Sequence, residues 1–262
     1  MSLIYEKDDH FQAVPTFGVI PGFQAIPLLG TAAPYGLDYI VPNFSASNLL
    51  HADQYLEVAK YPIPQSGRLI TDIKLCGVSN KGKNALVTFE LHTRDADTSE
   101  LVFYNEMSLF IRGAGGLGEE PGVVSRRSSS TVRTKPPPGQ EPHMTLTEVI
   151  SPEAAALYRL NADMHPMHIN PEVSRAAGFS QPILHGLCTL GYAARIMQRE
   201  FGPIQRLRAH FVSAVTPGQT LEAAFWRDGA KGVIFQAKVL ETGKLCIADA
   251  RAELRVESGT KL

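Results

Sequence analysis

An aspartate and three histidines, Asp163, His165, His168 and His185, crowd one part of this chain. A carboxylate and an imidazole five residues apart, as Asp163 and His168 are, suit proton transfer near neutral pH. Pro166 lies between them and prevents a continuous helix, so irregular backbone can turn both groups toward one water. His185-Gly186 opens a long apolar run. The Gly186 and Leu187 N–H groups would project from the start of that helix, where negative charge is favoured, and could hold a carbonyl oxygen turning into an enolate. An acid–base pair with an oxyanion donor is the minimum apparatus for adding water across a double bond next to a carbonyl. Other roles compete. Asp163 could cap a turn, His168 could bind the loop, and His185 could satisfy nearby backbone. Asp163, His165, His168 and His185 could together hold zinc, although the HxxH spacing on a proline-containing segment differs from the HExxH of helical zinc enzymes. Cys188 reads as buried packing rather than a nucleophile.

The elements around these residues are set by prolines and glycines. Ser151-Pro152-Glu153 predicts a helix from Pro152 to about Leu160, and Asn170-Pro171-Glu172 starts a second one that Gly178 ends. Leu187–Glu200 has the apolar spacing of a buried helix and is stopped by Gly202-Pro203. Four strands are expected after it, Gln205–Val215, Thr220–Arg227, Gly232–Glu241 and Leu245–Val256, with turns at Pro217-Gly218, Asp228-Gly229 and Thr242-Gly243. The first half shows Tyr55–Lys60, then Pro64 to Gly67, and then Arg68–Cys76, Ala85–Arg94 and Leu101–Ile111, which read as strands. Between the halves, RGAGGLGEEPGVVSRRSSSTVRTKPPPGQ cannot bury a core and reads as a crossing between domains, or else as a long surface loop. The boundaries are a first unit over 1–111, a crossing over 112–144 and a second unit over 145–262. A long helix against an antiparallel sheet, built twice, gives an α+β fold.

Composition narrows the function classes. With 262 residues, a net charge of −1 and 44% hydrophobic content, the chain is an ordinary globular sequence without the charge for general nucleic-acid binding. Cys76, Cys188 and Cys246 form no CxxC pair and suit a reducing compartment. The longest apolar runs fall short of a membrane span, and the N-terminus lacks a basic-then-apolar leader pattern. The expectation is a soluble intracellular protein with no membrane and no nucleic-acid partner.

The runs Tyr158–Asp163, Pro166-Met167-His168-Ile169-Asn170-Pro171, Ala177-Gly178-Phe179 and Pro182–Thr189 resemble the motif of the MaoC-like hydratase 2 family of (R)-specific 2-enoyl-CoA hydratases. The resemblance extends through Pro15–Ile20, Leu50-His51, Gln54-Tyr55-Leu56 and Ser108-Leu109-Phe110. It implies a double hot-dog fold, Asp163 and His168 as the catalytic pair that activates water, and the Gly186 amide as donor to the thioester oxygen. The first half would make room for the acyl chain. Only 14 residues precede Pro15, fewer than in the family, so the first unit is expected to lack its opening helix. His165 stands where the family carries Asn and is expected to modify the site. No cofactor is implied beyond the coenzyme A that arrives with the acyl-CoA substrate. Arg206 and Arg208 are candidates for its phosphates or for a solvated strand face, and a homodimer is expected by analogy.

The reading that follows is hydration of trans-2-enoyl-CoA to (3R)-3-hydroxyacyl-CoA, and its reverse, in fatty-acid metabolism. A dehydratase of carrier-protein substrates, a hot-dog thioesterase and a non-catalytic acyl-binding module are the alternatives. The final Thr260-Lys261-Leu262 is similar to the Ser-Lys-Leu peroxisomal address and predicts a peroxisomal, otherwise cytoplasmic, location.

Overall fold

A computed structural model describes residue 3 and residues 5–23, 36–116, 134–161 and 163–255. Nine antiparallel strands form one sheet: β1 (Leu49–Val58), β2 (Leu69–Lys81), β3 (Asn84–Asp95), β4 (Leu101–Ile111), β5 (Met144–Val149), β6 (Ile204–Phe211), β7 (Thr220–Asp228), β8 (Gly232–Val239) and β9 (Leu245–Leu254). Their spatial order is β2-β3-β4-β1-β6-β9-β8-β7-β5, so the first four strands make one half and the last five the other. The helices are short apart from one: α1 (Ile20–Phe23), α2 (Leu37–Ile40), α3 (Ala154–Arg159), α4 (Pro171–Ala176) and α5 (Gly186–Glu200).

The long α5 buries Leu187, Leu190, Ala193, Ala194 and Met197 against the second half of the sheet. Its alanines let the backbone approach the strands, and Gly202, at φ +112°, turns the chain away after Phe201. Phe225 and Phe235 meet it from β7 and β8, while Leu56 and Phe103 extend the same core into the first half. In that half α1 and α2 flank residues 24–35, which lie outside the described residues.

Several boundaries differ from the sequence reading for physical reasons. β1 is a strand over Leu49–Val58 that the sequence reading does not assign, because the register shift between His51 and Asp53 hides its alternation. β2 runs on to Lys81 through a bulge between Leu75 and Gly77. β5, unforeseen, alternates half-buried Met144, Leu146 and Glu148 with exposed Thr145, Thr147 and Val149. β6 ends at Phe211 rather than Val215, since the Val215 carbonyl accepts the Leu184 N–H at 2.7 Å instead of continuing the ladder. α3 begins only at Ala154; Ser151 Oγ accepts the Glu153 N–H at 3.2 Å in the turn before it. Of the expected crossing, residues 117–133 lie outside the described residues, whereas the Gly115 N–H donates to the Lys83 carbonyl at 2.9 Å and ties the end of the first half to the β2–β3 hairpin.

The sheet is continuous because β1 pairs with β6, with Leu56 directly opposite Leu207. Both leucines are about 1% exposed. Truncating either to alanine should destabilise the fold by about 2–5 kcal/mol. Chemical denaturation of both single variants and the double variant should give a coupling of about 0.5–3 kcal/mol, as expected of contacting residues. Strict additivity would contradict the seam.

Candidate active site

Residues 163–170 are kept irregular by Pro166 and by three side chains that bind backbone. Asp163 Oδ1 accepts the His165 N–H at 3.0 Å, His165 Nδ1 accepts the Met167 N–H at 3.2 Å, and Asn170 Oδ1 accepts the Glu172 N–H at 2.8 Å to cap α4. Pro166–His168 is thereby a single 3₁₀ turn capped by the imidazole of His165. The same ring reaches the Ala46 carbonyl of the first half through Nε2 at 3.2 Å. A carbonyl only accepts, so His165 carries its hydrogen on Nε2 and offers the Nδ1 lone pair to the turn.

That turn places His168 Nε2 3.8 Å from Asp163 Oδ2. The His168 ring is fixed by its other nitrogen, since Nδ1 donates to the Ile183 carbonyl at 2.8 Å. In the neutral ring Nε2 is therefore a lone pair facing the carboxylate. Two acceptors at 3.8 Å do not bond each other, but one water can give an O–H to each. Burial lowers the pKa of His168, opposed by the Asp163 charge and by the Ile183 carbonyl, so the ring is a neutral base near pH 7.

Gly186 opens α5 directly beside this pair. The first N–H groups of a helix have no acceptor within it and point along the helix axis. A Cβ at Gly186 would lie 3.0 Å from the Phe211 ring, so glycine is what lets this helix start sit against β6. His185, the residue before it, donates from Nε2 to the Asp163 carbonyl at 3.1 Å and stacks on His168 with ring centroids 3.6 Å apart at 24°.

These groups line a cavity of about 630 Å³. Its far wall comes from the first half: Phe23, Leu37, Phe44, Leu49, Leu50 and Leu109. His51, which was not among the residues expected to carry chemistry, also faces it, held between Phe23 and Phe211 with Nε2 donating to the Asp53 carbonyl at 3.0 Å. Burial pushes its pKa down to about 4 against the pull of Asp53 and Asp163. The resemblance takes in Leu50-His51, but nothing in LLHADQ says that the ring faces the site, because its place depends on the register of β1 with β4 and β6. Arg112, at the end of β4, joins the wall and binds the Ala177 carbonyl.

Asp163, His165, His168 and Gly186 are thus brought together, whereas Arg206 and Arg208 are not. They alternate along β6 with the buried Leu207 and Ala209 and stand on the opposite face of the sheet. Arg206 is paired with Glu253 at 3.0 Å and Glu57 at 3.5 Å, beside a separate open groove. Asp163, His168 and His185 offer atoms within 4.8 Å of one another, as a metal site would. Stacked imidazoles direct their lone pairs side by side, however, and not toward one tetrahedral centre. Cys188 is half-buried on α5, its thiol raised to about 12 by burial, which is packing chemistry and not nucleophile chemistry.

Comparison with known proteins accounts for both halves. Residues 1–113 match the model of the MFE-2 hydratase 2 N-terminal domain, and residues 131–250 that of the MaoC like domain. The chain is 45% identical, over 96% of its length, to the peroxisomal hydratase-dehydrogenase-epimerase of Neurospora crassa, of which it spans 27%. It is 34% identical to the peroxisomal enoyl-CoA hydratase 2 of Arabidopsis thaliana, covering 88% of this chain and 76% of that one. Among solved structures, a MaoC-like dehydratase from Phytophthora capsici superposes with a TM-score of 0.79 at 28% identity, over 97% of this chain and 87% of the other. The chain spans less than half the length of the multifunctional relatives that it matches.

Burial of three neutral histidines has a thermodynamic consequence. His51, His168 and His185 all have lowered pKa values when folded and return to about 6.5 on unfolding. Below about pH 6.5 the unfolded chain therefore binds protons that the folded one refuses. Stability should be full above that pH and fall toward pH 4, by up to about 1.4 kcal/mol per pH unit for each histidine. Urea midpoints measured from pH 7.5 to 5 should drop accordingly, and less steeply in His51→Phe; a level profile would contradict the burial.

Proposed function

Because the chain belongs to the MaoC-like hydratase 2 family, we infer that it is a hydro-lyase that hydrates trans-2-enoyl-CoA to (3R)-3-hydroxyacyl-CoA and catalyses the reverse dehydration. The observation that carries this reading is the pair of acceptors, Asp163 Oδ2 and His168 Nε2, 3.8 Å apart beside the start of α5. A water donating to both has its oxygen lone pairs directed away from them, toward C3 of an enoyl thioester lying in the cavity. As the oxygen bonds to C3, one water proton passes to His168 Nε2 and the π electrons move to the thioester oxygen. The Gly186 N–H steadies the charge on that oxygen, a contribution of about 3–4 kcal/mol at comparable donor sites. The proton on His168 then goes to C2 on the same face as the new hydroxyl, and the ring is neutral again. Asp163 keeps the water aligned and offsets the transient imidazolium charge.

The first half, residues 1–111, supplies the apolar wall for the acyl chain, and the second, residues 145–262, the chemistry. His165 belongs to the scaffold: its Nδ1 occupies the capping place that an Asn side-chain oxygen would fill. Neither a metal nor a redox cofactor takes part in this scheme. The enzyme acts in the peroxisome, a reading supported by relatives named as peroxisomal and by the terminal Thr260-Lys261-Leu262, which lies outside the described residues.

Loss of enoyl-thioester absorbance, followed together with free-thiol release, tests the reaction. Hydration without thiol release is expected, unchanged by a chelator, while Asp163→Asn and His168→Ala each lose at least ~10²-fold in rate. Thiol release would identify a thioesterase, and near-normal turnover of either variant would remove the assigned pair.

The address is tested separately. A fluorescent reporter ending in residues 251–262 should enter peroxisomes, and one lacking the last three should not. Cytosolic retention of the first would leave the tail without an addressing role.

A further inference from the structure

His185 is 2% exposed, yet its Nδ1 has no hydrogen-bond partner among the described residues. A buried polar atom left unpaired is unfavourable, and a phenylalanine would stack in the same place without it. The ring's other nitrogen gives the reason for a histidine. Nε2 donates to the main-chain carbonyl of Asp163, in a stretch without regular structure to hold it. One face of the ring covers His168 at 3.6 Å, and Tyr158 packs against it with centroids 4.9 Å apart. Its own carbonyl accepts the Cys188 and Thr189 N–H groups in the first turn of α5. One residue therefore touches the carboxylate's backbone, the base and the helix that presents Gly186.

We propose that His185 is a positioning residue that aligns Asp163 through Nε2–H and holds His168 in a dry, stacked environment where it acts as a neutral base. The proposal rests on the reading of Asp163 and His168 as the water-activating pair. Because the Asp163 carbonyl can only accept, the hydrogen of His185 is committed to Nε2 and the ring is neutral. A second proton, on Nδ1, would set a cation face to face with His168 and oppose the proton that His168 must take from water. A neutral ring there does the reverse, since its π face favours the imidazolium that forms. The charged and titratable groups around the two rings are Asp163 and His165 on the same loop, and Arg159 and Tyr158 on α3. Burial and the charge of His168 hold the His185 pKa well below its usual value, against the pull of Asp163.

Two substitutions separate the two roles. His185→Phe keeps the stacked face and removes the donor; His185→Gln keeps an N–H donor and removes the ring. For His185→Phe we expect kcat to fall by about 10- to 100-fold, the scale of a small misplacement, with KM within about threefold and the acidic limb of the pH–kcat/KM profile unmoved. For His185→Gln, water reaches His168, its pKa rises toward 6.5, and the acidic limb should shift to higher pH. Circular dichroism and thermal melts establish that both variants are folded. Wild-type kcat in folded His185→Phe, or the same acidic limb in His185→Gln as in wild type, would overturn the proposal. If Asp163→Asn and His168→Ala lose turnover while these variants behave as wild type, only the positioning role fails. Turnover retained by all four variants would remove the pair itself.

Discussion

The hydrogen bond from His168 Nδ1 to the Ile183 carbonyl decides what this pocket can do. Were the hydrogen on the other nitrogen, Nε2 would be a donor aimed at Asp163, and the two groups would close on each other in a direct hydrogen bond. With Nδ1 committed, both face the cavity as acceptors, and their 3.8 Å separation admits one water. Ile183 can receive that bond because Pro182 keeps the segment extended and because the Leu184 N–H is tied to the Val215 carbonyl. The early end of β6, which frees Val215 for that bond, is thus part of the base's support rather than a frayed strand.

The same economy of short backbone contacts explains how a histidine stands at 165. The 3₁₀ turn needs an acceptor at its N-terminal cap, and an imidazole nitrogen serves as well as an amide oxygen. The ring is larger than an asparagine side chain, and the excess reaches Ala46 in the first half. The residue at which the resemblance breaks is thus a substituted cap with an added contact between halves.

Legibility in the sequence followed the range of the interactions involved. Asp163, His168 and Gly186 were legible because prolines and glycines, which act locally, fix the breaks around them. The α5 helix and the β7–β8 and β8–β9 hairpins were legible from period and turn chemistry, whereas the turn at Pro217-Gly218 joins strands that do not pair, because β6 lies between β1 and β9. The strand β1 and the place of His51 were not, because both depend on the pairing of β1 with β4, 45 to 62 residues away in sequence, and with β6, 149 to 157 residues away. Nor could charge alone place Arg206: positive side chains on a strand suggest a phosphate site equally on either face, and only the burial of Leu207 and Ala209 decides which face is which. The double hot-dog is present as one sheet, its halves joined edge to edge by a seam that no local pattern announces.

That seam makes the pocket a matter of parity. β6 carries Phe211 into the cavity and Arg206 and Arg208 out of it only because the strand is held in one of two alternating phases. A slip of a single residue against β1 would turn the arginines inward and expose Leu207 and Ala209, exchanging an oily channel for a charged one. The leucine pair at the centre of the seam thus acts as a keying element. It selects, between the two phases of the strand, the one whose interior is apolar.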